Sequence, residues 1–252
     1  MSDERPPQEG GFALVDELAR RADALGREVG LPFIAVSADI SSPRPMVGAD
    51  GQPLAETLFR WIDPDLEYWR DRAFALRAPF VFATRLTSEP FYFRAGRLET
   101  WRPAAWTAAM GLIDPGDMFG VGTAIVAPAY LPRGVIGAMV WASPDPDVDV
   151  GAIFAARASE FHMLALRLTG AYQEVALGAR KDMARLTRRE IQCLKWAAAG
   201  KTDGEIAAIV QIAAPTVRFH MINAADKLGV AGRSQTVHRA ATLGYIGAVG
   251  AV

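Results

Sequence analysis

Few residues in this chain are suited to covalent or metal chemistry. His162, His220 and His238 are scattered, and none stands at metal-ligand spacing with Cys193 or with a pair of carboxylates. No glycine-rich run follows a strand and opens a helix, as a phosphate loop requires, and Gly120-Val121-Gly122 reads better as entry to a strand. Asp39 closes a strand as a phosphoacceptor would. However, the β/α alternation and the acidic pair of a receiver domain are not visible. The pattern therefore argues against an enzyme. What stands out is cationic. From Arg180 to Val252 there are eleven Lys/Arg against five Asp/Glu, a net of +6 in a chain of net −1, so residues 1–179 carry −7. A basic segment behind an acidic one points to a polyanionic partner for the basic segment alone.

The elements that must position those charges lie between Leu186 and Ala241. Thr187 with Glu190 three residues on is a capping box. Ile191, Leu194 and Ala198 follow at helical spacing, and Gly200 sits where a helix ends. Thr202 or Asp203 caps a second helix, with Ile206, Ala207 and Val210 on its apolar face. Residues 211–214 form a tight turn, and Pro215 falls in the first turn of a third helix. Val217, Met221, Ala224 and Leu228 line the buried stripe of that helix. Thr216, Arg218, Phe219, His220, Asn223 and Lys227 lie off it, with Phe219 expected to be partly buried. Gly229 closes the helix, and Arg233 or Ser234 starts a fourth. This is helix-turn-helix spacing, which sets one short helix in the major groove of DNA. Three-helix units are common, so the spacing alone does not establish nucleic-acid binding.

Residues 183–246 resemble the C-terminal domain of the LuxR family of transcription regulators. The resemblance rests on Leu186, Thr187, Glu190, Leu194, Gly200, Lys201, Glu205, Ile206, Ala207, Thr216, Val217, His220, Lys227, Leu228, Gly229 and Val230. It implies that the third helix is a recognition helix and that homodimers bind an inverted repeat in double-stranded DNA. Carried over by position, Arg218 and Thr216 are the candidates for base contacts, with His220 beside them. An arginine fork suits guanine O6 and N7. Lys201, Thr202, Lys227 and Arg233 are placed against phosphates, where they would set register. The alternative for Arg218 and Lys227 is that they are solvated surface charges.

The preceding residues read as a larger α+β domain. An amphipathic helix over 11–29 carries Phe12, Val15, Leu18, Ala22, Leu25 and Val29 on one face. A strand follows at 33–38, then a Pro- and Gly-rich loop at 41–53. Residues 54–61 are expected as a strand, though Ala-Glu-Thr-Leu suits a helix equally. Asp63-Pro64-Asp65 opens a helix through Arg77. Residues 80–86 stay open between helix and strand, 91–93 form a strand, and 103–110 a helix. Two strands over 122–130 and 134–142 are joined by a turn, and Asp147 caps a long helix to about Gln173. The natural packing is an antiparallel sheet between helical layers. The family resemblance implies the same α/β/α sandwich, with a ligand held between sheet and helices. The expected organisation is a sensor and dimerisation domain over 1–173, a linker over 174–183 and an all-α DNA-binding domain over 184–252. No apolar stretch resembles a signal peptide or a membrane span, so a cytoplasmic protein without membrane contact is expected. No cofactor is expected, and Cys193 reads as a small buried hydrophobe.

The front half departs from the family's acyl-homoserine-lactone receptors. There a Trp, a Tyr and an Asp-Pro pair form the polar clasp of the pocket. Aligned on Pro79, Ala78 replaces the Asp, Trp69 takes the Tyr position, and Asp65 falls at the Trp. Phe93 replaces a second pocket Trp, and Ala124 a pocket glycine. A buried ligand amide without its acceptor costs about 1–3 kcal/mol, a tenfold or greater loss of affinity. The resemblance therefore implies an orphan member that senses a flat or apolar small molecule. Trp61, Trp69, Ala78, Phe93, Trp101 and Ala124 are the candidate ligand contacts. Phe59, Tyr68, Phe80, Phe82, Tyr92, Trp106 and Trp141 complete the aromatic set, most of which suits a core equally. The alternative is a domain that only dimerises or binds a protein partner.

Overall fold

The computed structural model describes residues 9–63, 65–66, 78–177 and 184–247. The chain divides into two compact units, with the division falling between residues 177 and 184. In the first unit an antiparallel sheet of five strands is ordered β1-β5-β4-β2-β3. The strands are β1 (Phe33–Ser37), β2 (Phe91–Arg94), β3 (Arg97–Glu99), β4 (Thr123–Tyr130) and β5 (Ile136–Ser143). Among the described residues, the helices of this unit are α1 (Glu9–Glu28), α2 (Leu54–Thr57), α3 (Pro79–Thr84), α4 (Ala105–Met110) and α5 (Val150–Leu177).

Alternation along the strands sends side chains to two separate cores. Ile34, Val36, Ile125, Ala127, Met139 and Trp141 face one way and are covered by α1 and α5. Helix α1 supplies Phe12, Val15, Leu18, Ala22 and Leu25 to this core, and α5 supplies Phe154, Phe161, Leu164 and Leu168. Trp141 is fully buried here. Its indole donates to the Ala22 carbonyl at 3.0 Å, and its ring meets Phe161 edge-on at 4.9 Å. Gly26 allows this approach, because a Cβ there would lie 2.9 Å from the Trp141 ring and 2.6 Å from the Leu31 carbonyl. The opposite face carries Phe91, Phe93, Ala124, Val126 and Ala142, packed with Phe80, Leu98, Ile113 and Met118. Central β4 is therefore buried on both faces, and the layered α/β/α arrangement expected from the sequence is the one observed.

Local differences have local causes. Residues 54–57 form a helical turn instead of a strand, with Pro53 at its N-cap and backbone bonds returning to Pro53 and Leu54. Residues 79–84 are helical, as Pro79 in the first turn permits. The cap of α5 is Asp149 and not Asp147: Asp149 Oδ1 accepts from Ala152 N at 3.1 Å, whereas Asp147 N donates into an Asp145 turn. Helix α5 runs on to Leu177, so the first four residues of the expected linker are helix. Asp39 is engaged in a turn, its Oδ1 accepting from the Ser41 amide and hydroxyl. The helix expected over 63–77 falls largely outside the described residues. Among the described residues, no helix is long and apolar enough to cross a membrane.

The second unit holds α6 (Arg188–Ala198), α7 (Asp203–Val210), α8 (Ala214–Leu228) and α9 (Arg233–Thr242) around Leu194, Ile206, Val217, Ala224 and Ala240. Cys193 is buried among them as a free thiol, and burial pushes its pKa up.

Candidate nucleic-acid interface and apolar cavity

Helices α7 and α8 owe their mutual placement to a tight connection. Gln211 closes α7 in the left-handed conformation, at φ 57°, and its N–H bonds back to Ala207. Three residues later α8 is under way, with Pro215 in its first turn. Val217, Met221, Ala224 and Leu228 turn into the core, as the spacing predicts. The opposite side of α8 presents Thr216, Arg218, Phe219 and Ile222 to solvent, with His220 half-buried beside them. Phe219 is 60% exposed, so the partial burial expected of it does not occur. Its recorded ring contact is with His220, centroids 5.9 Å apart. Arg218 is 75% exposed, and its Nε lies 3.7 Å from Asp203 Oδ2.

The cations predicted to meet phosphates are more constrained. Thr202 is the N-cap of α7 in a full capping box: its hydroxyl accepts from Glu205 N at 3.3 Å, and Glu205 Oε2 accepts from Thr202 N at 2.8 Å. These bonds hold the Glu205 carboxyl below the usual carboxylate range. The Lys201 ammonium lies 3.5 Å from Glu205 Oε1. The Arg233 guanidinium bonds both Asp203 and the Lys201 carbonyl, tying the start of α9 to the start of α7. Lys227 differs from the expectation most. Its ammonium donates to both oxygens of Glu190, at 2.7 and 2.9 Å. Glu190 belongs to the Thr187 capping box of α6 and is only 3% exposed. Burial alone would raise its pKa, but hydrogen bonds from Lys227 and Thr187 outweigh burial and hold the carboxyl low. A buried carboxylate needs a counter-charge, and Lys227 supplies it. Lys227 thus braces α8 against α6, and its side chain stays 38% exposed.

In the first unit a small apolar cavity of about 70 Å³ opens on the face away from α1 and α5. Ala35, Ser37, Ile40, Trp61, Ala78, Phe80, Met118, Phe119 and Val140 line it, with Asp117 as its acidic member. Two of the predicted ligand contacts, Trp61 and Ala78, are therefore in its wall. Phe93 and Ala124 are paired across β2 and β4 in the same core but are not part of the lining. Phe93 stands edge-on to Phe80 at 5.7 Å. Trp101 is not on this face. It is 49% exposed and packs on Phe154 of α5, centroids 5.3 Å apart. Trp69 and Tyr68 lie outside the described residues. Phe59, Tyr92 and Trp141 belong to the α1/α5 core. The Tyr92 hydroxyl donates to Glu99 at 2.5 Å, and burial together with that bond pushes its pKa to about 12. Met118, Asp117 and Phe119 were not predicted from sequence. They lie in and after a 3-10 turn over Pro115–Met118, and the Asp114-Pro115-Gly116-Asp117 run signals only a turn.

The geometry from Thr202 to Leu228 defines a helix-turn-helix unit: a capped short helix, a left-handed turn residue, and a second helix with one buried and one open side. Residues 184–240 match the family described as bacterial regulatory proteins, luxR family, and the C-terminal unit belongs to that family. Similar proteins include the transcriptional activator protein VanR of Vibrio anguillarum, 50% identical over 66 residues, which are 26% of this chain and 28% of that protein. Another is the HTH-type quorum sensing-dependent transcriptional regulator VjbR of Brucella abortus, 36% identical over 143 residues, 55% of this chain and 54% of that protein. The matched segment thus spans about half of VjbR and little more than a quarter of VanR. These relatives are transcriptional regulators, not enzymes. Among solved structures, Escherichia coli SdiA aligns over 92% of this chain and 91% of its own, at 17% identity and a TM-score of 0.49.

Proposed function

We propose that this chain is a dimeric DNA-binding transcription regulator that reads an inverted repeat through α8. The observation that carries this reading is the open side of α8. It presents Thr216 and a largely exposed Arg218 on a helix-turn-helix, within a segment of net charge +6. Arg218 reads a base edge, and its fork suits guanine O6 and N7. Lys201, Thr202 and Arg233, at the start of α7 and α9, act near the backbone; each has an internal partner, so their contribution is to fix register more than to add affinity. Two copies associate through the first unit and set two α8 helices about one DNA turn apart.

The first unit controls DNA binding by favouring the dimeric, DNA-competent state. The signal is a small apolar or flat molecule that enters beside Trp61 and Ala78. Without a carboxylate at position 78, an acyl-homoserine lactone lacks its amide acceptor. A second reading is favoured by the size of the cavity. About 70 Å³ is far below the several hundred typical of sites for drug-sized ligands. In that reading the first unit only dimerises or binds a protein partner. Selection of duplexes from a random pool with the full chain tests the DNA reading. An enriched inverted repeat is expected, and a pool that stays random refutes it. Mass spectrometry of small molecules released from the purified protein separates the two readings of the first unit.

A further inference from the structure

The geometry points to Asp203 as a positioning residue that aims Arg218 at its base. The inference rests on the DNA-reading role of α8. Asp203 opens α7, yet its carboxylate faces two arginines from other helices. One oxygen, Oδ1, takes the Arg233 guanidinium, which also bonds the Lys201 carbonyl. The other oxygen, Oδ2, lies 3.7 Å from Arg218 Nε. Arg233 therefore fixes the carboxylate from behind, and the carboxylate is three-quarters shielded, at 24% side-chain exposure, while Arg218 stands 75% exposed.

The edge of Arg218 that meets Asp203 matters. The ion pair runs through Nε at 3.7 Å, longer than a hydrogen bond, and commits neither terminal nitrogen to Asp203. Those two nitrogens make the bidentate fork that guanine O6 and N7 accept. A carboxylate at this range biases the Arg218 rotamers before the base is met, so less ordering entropy is spent on binding. Because the pair is exposed at the Arg218 end, the effect is modest, about two- to fivefold in discrimination. The direction is specific. A carboxylate near the duplex repels phosphate, so its removal does not weaken binding to unrelated sequence.

The test uses the full chain and a duplex that it enriches from a random pool. Arg218→Ala first identifies the base pair at which discrimination depends on Arg218. Asp203→Asn and Asp203→Ser, both acceptable in the first turn of a helix, are then compared with wild type by fluorescence anisotropy. At that base pair the expected loss of discrimination is two- to fivefold, with affinity for unrelated duplex not reduced. In the Arg218→Ala background the same changes should have no effect on discrimination. Thermal melts run alongside identify any variant that is unfolded, and the folded one of the pair is scored. Wild-type discrimination in a folded Asp203 variant overturns the inference while leaving the DNA reading intact. Equal losses of specific and unrelated binding overturn it as well. If wild type enriches no sequence, the DNA reading itself falls and takes this inference with it.

Discussion

The Lys227 ammonium reaches both carboxylate oxygens of Glu190, 37 residues earlier in the chain, at 2.7 and 2.9 Å. Glu190 simultaneously closes the capping box of α6, accepting from Thr187 N at 2.7 Å. One carboxylate thus caps the start of the first helix of the second unit and anchors the last turn of α8. Lys227→Met leaves this nearly buried charge without its partner. The second unit is expected to lose about 1–3 kcal/mol, below the figure for fully buried pairs because Lys227 is partly exposed. Denaturant unfolding of the full chain checks this, and an unchanged midpoint contradicts it.

The same carboxylate predicts an acid dependence. The Glu190 pKa is lowered in the folded unit, so the unfolded chain binds the extra proton first as pH falls. The stabilisation is complete above the ordinary glutamate value, about 4.3, and is lost as pH drops through the lower folded value. Glu190→Gln is expected to flatten the stability profile below the ordinary glutamate value. A profile of the same slope as wild type would show that Glu190 does not carry it.

Ala78 is 4% exposed in the cavity wall. Ala78→Asp places a carboxyl there with no cation among the described lining residues and with Asp117 as a like charge. The first unit is expected to lose about 1–3 kcal/mol. An added N-acyl homoserine lactone should recover part of that loss in the variant and none in wild type. Differential scanning calorimetry with and without lactone decides; recovery in wild type would show that position 78 does not set the preference.

Trp141 and Trp61 have different duties. Trp141→Ala removes a fully buried ring and its bond to Ala22, so a cost of about 3–5 kcal/mol is expected. Trp61 is only partly buried in the cavity wall, and Trp61→Ala should cost clearly less. Equal costs from urea unfolding would contradict this assignment of cavity and core.

The reach of the sequence followed the range of the interactions. The capping box at Thr187, the stripe from Val217 to Leu228 and the amphipathic face of α1 are set within a few residues, and local spacing exposes them, while the choice between Thr202 and Asp203 as the cap of α7 stayed open. Pairings across the fold were not legible. Lys227 and Arg233 were placed against phosphates without their internal partners, because nothing nearby in sequence marks Glu190 or Asp203 as such. The aromatic residues were likewise unsorted, since assigning Tyr92 and Phe93 to opposite faces needs the register of β2 against β4. Trp101 was misplaced for the same reason, its neighbour Phe154 being on a helix more than fifty residues away. Asp117 and Phe119 reach the cavity through a 3-10 turn, which no periodicity announces.

Under the proposed function, the exposed Arg218 on α8 reads sequence for the whole chain. Footprinting of wild type and Arg218→Ala on the wild-type-enriched duplex tests it most directly, with thermal melts confirming that both units remain folded. Protected stretches about one helical turn apart are expected for wild type, and for the variant weakened protection that no longer discriminates at the base pair Arg218 reads. An Arg218→Ala footprint identical to that of wild type would contradict this role.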